Sequence, residues 1–242
     1  MKQLERPLNS TEIILPSRQG LLERFLASGV RDVDSARIQV SPCGRHTEHY
    51  APGFEVVNTA AEFAVIGYTP GRRQAETAWR ELESLSPVLS TSEKLRITHS
   101  QAAFAGLRLR IDEIADHCGL LAYLKLASLL DPARVALTSR FVFPVFDHGR
   151  NYRVNSALIR TPWLLSLSSS HLRELVGVCP ALKAVIFLGD GKAARQSACY
   201  HRQMGDIPGS IEAFLLPHPS GANNARIARF LGSTVRPETV RL

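Results

Sequence analysis

Close pairs of cysteines are missing from this chain. Its four cysteines are Cys43, Cys118, Cys179 and Cys199, and no two of them stand in a Cys-x-x-Cys arrangement. Structural zinc sites and iron–sulfur clusters usually start from such a pair, so the spacing favours neither. We therefore expect four reduced thiols and a protein that holds no metal and no other cofactor.

Long apolar runs are missing as well. The segment Met1–Arg6 lacks the apolar region of a secretory signal peptide, and no run approaches the length that spans a membrane. The chain has no Gly-x-Ser-x-Gly elbow, and Gly189–Lys192 lacks the spacing of a Walker or dinucleotide-binding loop. These absences favour a cytoplasmic protein without membrane segments and argue against a serine hydrolase.

Positive charge is present in excess. Lysine and arginine together number 29, against 22 aspartate and glutamate residues, which gives a formal net charge of +7. A surplus of this size suits a polyanionic partner such as nucleic acid. At 242 residues and 45% hydrophobic content, the chain is long and apolar enough for one large α/β domain.

Short apolar runs alternate with helical patterns along most of the chain. The runs are Phe63–Ile66, Val135–Thr138, Ala184–Leu188 and Ile211–Leu216. This alternation predicts a single domain over residues 1–242, a three-layer α/β/α sandwich around a central, mainly parallel four-stranded sheet. Residues 1–60 are predicted to form an N-terminal helix and an irregular lead-in, with short strands near Arg37–Val40 and Phe54–Val57.

Polar and glycine residues follow all four predicted strands. The loops contain, in chain order, Gly67–Gln74, Ser139 with Asp147–Tyr152, Gly189–Lys192, and Pro217–Gly221. Because the carboxyl ends of parallel strands meet at one edge of a sheet, where ligands bind in open α/β folds, we expect these loops to face one cleft.

His218 stands between two prolines at the last of these strand ends. Pro219 biases the backbone of His218 towards an extended geometry. A ring held there could donate a hydrogen bond to negative charge that develops on a leaving group. Ser220 and the helix start behind it could hold a phosphate. The structural alternative is a His-Pro turn in which Ser220 caps the helix.

The segment Gly67-Tyr68-Thr69-Pro70-Gly71 has its own physical logic. Its glycines let a ligand approach the backbone closely, and its proline fixes the turn. The alternative is an ordinary turn between a strand and a helix.

These two segments, in this order and after the first and last predicted strands, resemble motifs of the uracil-DNA glycosylase superfamily. The resemblance spans roughly residues 40 to 232, and Phe104–Arg108 is similar to a family segment that precedes a helix beside the cleft. The chain resembles in particular a bacterial branch with Thr-Pro-Gly and His-Pro-Ser-Gly-Ala-Asn motifs. The family implies a DNA N-glycosylase that flips a nucleotide out of the duplex and excises its base, leaving an abasic site.

The resemblance also implies roles for individual residues. His218 would stabilise charge on the departing base, and Thr69 would position water or stabilise the sugar cation. The base pocket would consist of Gly67, Tyr68, Pro70, Gly71, Ser139 and Asn151. The DNA phosphates would be held by Gln74, Lys192, Pro219, Ser220, Gly221, Asn223 and Arg226.

Two departures from the family pattern bear on the chemistry. Thr69 stands where the best-known branches carry Asp or Asn, and it cannot act as a carboxylate base. Asp147, Glu76 and Glu48 are the candidates to replace that base. Gly71 stands where branches strict for uracil carry Tyr, and it leaves space at C5 of a pyrimidine. The expected substrate is therefore uracil or a C5-modified pyrimidine, in repair or in defence against phage DNA with modified bases.

Two other hypotheses about the function stay open. The altered position at Thr69 is compatible with a non-enzymatic nucleic-acid-binding protein on the same fold. A flavodoxin-like enzyme that handles free nucleotides or nucleosides is the other. For the DNA N-glycosylase and for the non-enzymatic nucleic-acid-binding protein, the expected partner is DNA. Either protein is expected to bind it as a monomer.

Overall fold

The computed structural model describes residues 11–153 and 158–242. The strands are β1 (Glu12–Ile14), β2 (Arg37–Val40), β3 (His46–His49), β4 (Val56–Asn58), β5 (Phe63–Gly67), β6 (Val135–Ser139), β7 (Val145–Asp147), β8 (Arg150–Asn151), β9 (Ala184–Leu188) and β10 (Glu212–Leu216). The helices are α1 (Leu21–Ala27), α2 (Arg72–Ser84), α3 (Thr91–Ala102), α4 (Arg108–His117), α5 (Leu120–Leu124), α6 (Pro162–Val178), α7 (Lys192–Gln203), α8 (Asn224–Leu231) and α9 (Pro237–Val240). None of these described helices is long and apolar enough to cross a membrane.

The central sheet has the order β10-β9-β5-β6, and all its strands run parallel. Its strands coincide with the four predicted apolar runs to within one residue at each end. β5 and β9 are buried along their whole length, which is why they read as continuous apolar runs rather than alternating patterns. The prediction of a parallel four-stranded sheet is confirmed.

Two apolar cores lie on opposite faces of this sheet. Along β5, Ala64 and Ile66 enter one core, while Phe63 and Val65 enter the other. The first core is closed by side chains of α1, α2, α3, α6 and α7, and the second by those of α4, α5, α8 and α9. The protein is therefore a three-layer α/β/α sandwich, as predicted.

A second four-stranded sheet, with the order β2-β3-β7-β8, is antiparallel throughout and was not predicted. The lead-in to the central sheet is thus more regular than expected: β2 lies at the predicted Arg37–Val40, and β4 begins two residues after the predicted start of Phe54–Val57. β3 was missed because His-Thr-Glu-His contains no aliphatic residue, although three of its four side chains are buried. This sheet carries Asp147 and Asn151 to the edge of the central sheet.

A buried chain of polar side chains joins α6 to α7. Ser168 Oγ lies 2.8 Å from His201 Nε2, and His201 Nδ1 lies 2.8 Å from an Asp206 carboxylate oxygen. The order Ser–His–Asp is that of a hydrolase triad, but all three side chains are buried, so no substrate reaches the serine hydroxyl. The chain is a structural link between two helices.

A buried histidine on α6 makes the stability of the protein sensitive to acid. His171 is 1% exposed, its Nε2 lies 2.9 Å from Thr138 Oγ1, and burial lowers its pKa to about 3. An unfolded chain takes up this proton near pH 6.5, whereas the folded protein does not until about pH 3. Stability contributed by the neutral ring is therefore lost as the pH falls below 6.5, by about 3 kcal/mol at pH 4.

We expect His171→Gln to flatten the dependence of the unfolding free energy on pH between 7 and 4, whatever its absolute stability. Urea unfolding at several pH values measures this slope. His117→Gln, at an exposed histidine of α4, is the matched control and should leave the slope unchanged. Equal slopes in wild type and His171→Gln would contradict the assignment.

Candidate functional site

A cleft of about 1330 Å³ opens at the carboxyl edge of the parallel sheet. The chain passes from β5 to β6 on one side and later to β9 on the other, so the winding reverses at β5. Ligands of open α/β sheets bind at such a reversal. Residues from the carboxyl ends of the four strands or from the loops behind them line the cleft, among them Gly67, Ser139, Gly189 and His218. The predicted convergence of these loops is observed.

Most of the site residues predicted from sequence line this cleft. They are Gly67, Tyr68, Thr69, Gly71, Gln74, Ser139, Asp147, Asn151, Lys192, His218, Ser220, Asn223 and Arg226. Pro70, Pro219 and Gly221 are adjacent in sequence to lining residues but do not line it themselves.

Two of the three candidate carboxylates lie elsewhere. Glu76 is exposed on α2 and lines a separate pocket of about 250 Å³ formed with residues 31–34. Glu48 is buried in β3, where it accepts a hydrogen bond of 2.5 Å from Gln39. The structure brings neither of them to the cleft.

His218 is held by its own loop. The backbone N–H of Ser220 donates to His218 Nδ1 at 3.2 Å, so a neutral ring carries its proton on Nε2. Burial lowers the pKa of His218, which keeps the ring neutral at pH 7. The side chain lines the cleft, and its Nε2–H is the hydrogen-bond donor that it offers there. The Ser220 hydroxyl accepts from the Asn223 side chain at 3.0 Å and does not cap the following helical turn.

Thr69 is engaged in holding the loop between β6 and β7. Its hydroxyl accepts a 2.9 Å hydrogen bond from the backbone N–H of Val145 and approaches the Phe143 carbonyl at 3.3 Å. These bonds fix the entry to β7 against the end of β5. They occupy much of the hydrogen-bonding capacity that a water molecule would need.

Two carboxylates do line the cleft, and each is paired with an arginine. Both oxygens of Asp147 accept from Arg45, at 2.9 and 2.8 Å, and these hydrogen bonds hold the pKa of Asp147 below its usual range. Asp190 pairs with Arg226 at 2.5 Å. Asp147 is a candidate from the sequence, whereas Asp190 appears there only within the predicted loop Gly189–Lys192. Arg226, predicted to hold phosphate, is thus partly neutralised.

Positive charge nevertheless dominates the lining. Five cationic side chains contribute to the cleft, against the two carboxylates: Arg72, Arg150, Arg153, Lys192 and Arg226. Arg72 is paired with Asp34 at 2.7 Å. Within the described ranges, Arg150, Arg153 and Lys192 have no ion pair. The cleft is therefore suited to a ligand that carries negative charge.

Phe104 forms part of the cleft wall next to Gly67. A Cβ added to Gly67 would lie 3.0 Å from the Phe104 ring and 2.9 Å from Ser139 Oγ, so only glycine permits this close approach. Phe104 itself has a positive φ of 53°, which is uncommon for an aromatic residue. The sequence pointed to the segment Phe104–Arg108 but not to the ring as a lining group.

Gly71 is a glycine of a different kind. Its φ of −78° is open to any residue, and an added Cβ would lie 3.6 Å from Asn151 Nδ2, an ordinary contact. The Asn151 side-chain oxygen accepts from the backbone N–H of Arg72 at 2.9 Å and so caps the start of α2. The space in front of Gly71 is thus a property of its missing side chain, not of a backbone requirement.

No cluster of three or more His, Cys, Asp or Glu side chains suited to a metal ion occurs in residues 11–153 and 158–242. The four cysteines are free thiols, of which Cys118 and Cys179 are buried.

These features define a doubly wound α/β protein with a basic cleft at the point where the winding reverses. No protein-family model matches the chain. One similar protein is the uncharacterized protein YoxB of Bacillus subtilis (strain 168), which is 29% identical over 194 residues, covering 75% of this chain and 73% of YoxB. Its name states no activity.

The two glycines give a paired test of this geometry. We expect Gly67→Ala to lower the free energy of unfolding by about 1–3 kcal/mol, because its Cβ overlaps Phe104 and Ser139. Gly71→Ala should change it by less than about 1 kcal/mol. Urea unfolding of both variants measures the difference. Equal values would show that the Phe104 ring moves aside without cost.

Proposed function

We propose that the protein is a DNA N-glycosylase that excises uracil or a C5-modified pyrimidine and leaves an abasic site. The observation that carries the proposal is a neutral His218 that offers an Nε2–H to a basic cleft walled by the Phe104 ring. The resemblance of the two strand-end motifs to the uracil-DNA glycosylase superfamily supports the same conclusion.

The proposed reaction begins with a base outside its stack. A nucleotide flipped from the duplex enters the cleft, and its base lies against the Phe104 ring. The bond between the sugar C1′ and the base nitrogen breaks, and its electron pair stays on the base. Water adds to C1′, and the proton that it releases ends on the base or in solvent.

His218 acts on the departing base in this scheme. Negative charge spreads onto the base oxygens as the bond breaks, and the Nε2–H donates to one of them. A donor that is fixed before the reaction is worth roughly 3 kcal/mol in the transition state, more than the ground state gains from it. Because the histidine is neutral, it keeps its Nε2 proton and acts as a hydrogen-bond donor without transferring that proton.

Asp147 is the carboxylate that we assign to the sugar cation. It is ionised and lines the cleft, whereas Glu48 and Glu76 do not. Because Arg45 engages both of its oxygens, Asp147 stabilises positive charge rather than removing a proton from water. Lys192, Arg150 and Arg153 would neutralise DNA phosphates, which predicts binding that weakens steeply with salt.

A second candidate is a non-enzymatic DNA-binding protein on the same fold. The observation that favours it is the engagement of Thr69 by the backbone of residues 143–145, which limits its use in water activation. Both candidates bind DNA, but only the first releases a base.

Base release tests the proposal directly. Wild type and His218→Ala would be incubated with DNAs that contain uracil, mismatched thymine, hypoxanthine or C5-modified pyrimidines, and released bases would be identified by mass spectrometry. We expect release by wild type and a loss of about 100-fold in His218→Ala, with DNA binding nearly unchanged. His117→Ala, outside the cleft, is the control. Salt-sensitive binding without any release would favour the binding protein.

The open space at Gly71 gives a test of specificity. Gly71→Tyr adds a ring at a position whose backbone accepts any residue. We expect it to abolish release of bases with large C5 substituents and to change release of unmodified uracil by less than about threefold. Gly71→Ala should act like wild type on both. A wild type that excises unmodified uracil alone would rule out the C5-modified class.

A further inference from the structure

Arg140 is a fully buried cation directly behind the cleft. It follows Ser139 at the end of β6 and is 0% exposed. Its guanidinium lies between the rings of Tyr68 and Phe187, with Cζ 4.5 Å from each ring centroid. Nη2 donates to the Ala194 carbonyl at 3.3 Å, while Nε and Nη1 find no hydrogen-bond partner among the described residues.

No carboxylate of the described ranges pairs with this guanidinium. Asp206 is bonded to His201 and, at 2.6 Å, to Arg173, so its charge is already engaged. Burial lowers the pKa of Arg140, but a guanidinium remains protonated in proteins. The site therefore contains a whole positive charge that its surroundings do not cancel.

Such a charge is unfavourable for folding. A buried ion without a counter-ion loses its hydration, and two cation–π contacts recover only part of that loss. Replacing buried charges by apolar side chains of similar size is often neutral or stabilising. A cation kept at this position thus calls for an explanation other than stability.

The guanidinium contacts the cleft wall itself. Tyr68, against which it stacks, and Ala194, whose carbonyl it binds, both line the cleft, as does its chain neighbour Ser139. Arg140 is fully buried, so protein rather than solvent separates its charge from the cleft, and its potential is weakly screened there. Negative charge in the cleft is favoured, and positive charge is opposed.

We propose that Arg140 is a positioning residue that makes the cleft select pyrimidines able to leave as anions, namely 2,4-dioxopyrimidines of the uracil type rather than cytosines. The inference rests on the proposed function. When the bond from C1′ breaks, its electron pair delocalises over the two carbonyl groups of such a base. A cytosine leaves more readily when protonated, and the same positive potential opposes its protonation. Arg140 exchanges no proton in this step.

The test compares leaving groups of different acidity. DNA containing uracil and DNA containing 5-fluorouracil, whose anion is more stable, would be offered to wild type, Arg140→Met and Arg140→Lys. We expect Arg140→Met to slow release of uracil by about 100-fold and release of 5-fluorouracil by about 10-fold or less. Arg140→Lys, which keeps the charge, should restore most of both rates.

The ratio of the uracil rate to the 5-fluorouracil rate does not depend on the fraction of enzyme that is folded. A variant of lowered stability therefore still shows whether its selectivity has changed. Arg173→Met is the matched control, since it removes an exposed cation bonded to Asp206 and should leave the ratio unchanged. Equal losses on both substrates, or preferred release of cytosine by wild type, would overturn the inference and leave the glycosylase proposal standing. A wild type that releases no base would overturn both.

Discussion

The parallel register of the central sheet is the constraint on which the cleft depends. Gly67 stands opposite Ser139, and Leu188 stands opposite Leu216. Ile66 stands opposite Phe187, so the four strands end at nearly the same level. Because all of them point the same way, every loop that follows a strand leaves at one edge. Residues from distant parts of the sequence meet at this edge because of the direction and register of the strands. Contacts between the helices that follow these loops are not needed for this.

The sequence predicted this edge well because its signal is local. Each buried strand is a short apolar run, and each run ends at glycine, proline or a polar residue. His218 and the Gly67–Gly71 segment could be assigned to the cleft from strand ends alone. Strand ends alone could not show which of the candidate carboxylates lines the cleft, because this depends on where the fold places each side chain. Glu76 lies on α2 outside the cleft, whereas Asp190, one residue beyond a glycine, lies inside it.

Other features depend on long-range packing and left little trace in the sequence. β3 is polar by composition and is buried only because β7 and the rings around it cover its side chains. In the sequence, Arg140 cannot be told from an ordinary cation after a strand. Its guanidinium is buried because it packs against the rings of Tyr68 and Phe187. Neither environment can be deduced from neighbours along the chain.

Within the part of the chain that the structure describes, the charged side chains of the cleft include both ion pairs and unpaired cations. Asp147 and Asp190 each engage one arginine, while Lys192, Arg150 and Arg153 are left as cations of the lining. A polyanion that reaches Arg226 competes with Asp190 for the same guanidinium. The proposed binding of DNA is therefore an exchange of anions at this arginine, not a simple addition.

The cap that Asn151 provides to α2 has a mechanical consequence. Asn151 belongs to the antiparallel sheet, whereas α2 starts directly behind a strand of the parallel one. A displacement of β8 away from the cleft stretches this hydrogen bond and leaves the first N–H of the helix exposed. One hydrogen bond thus ties the position of β8 at the cleft to the first turn of α2, so the two sheets are joined through the start of a helix.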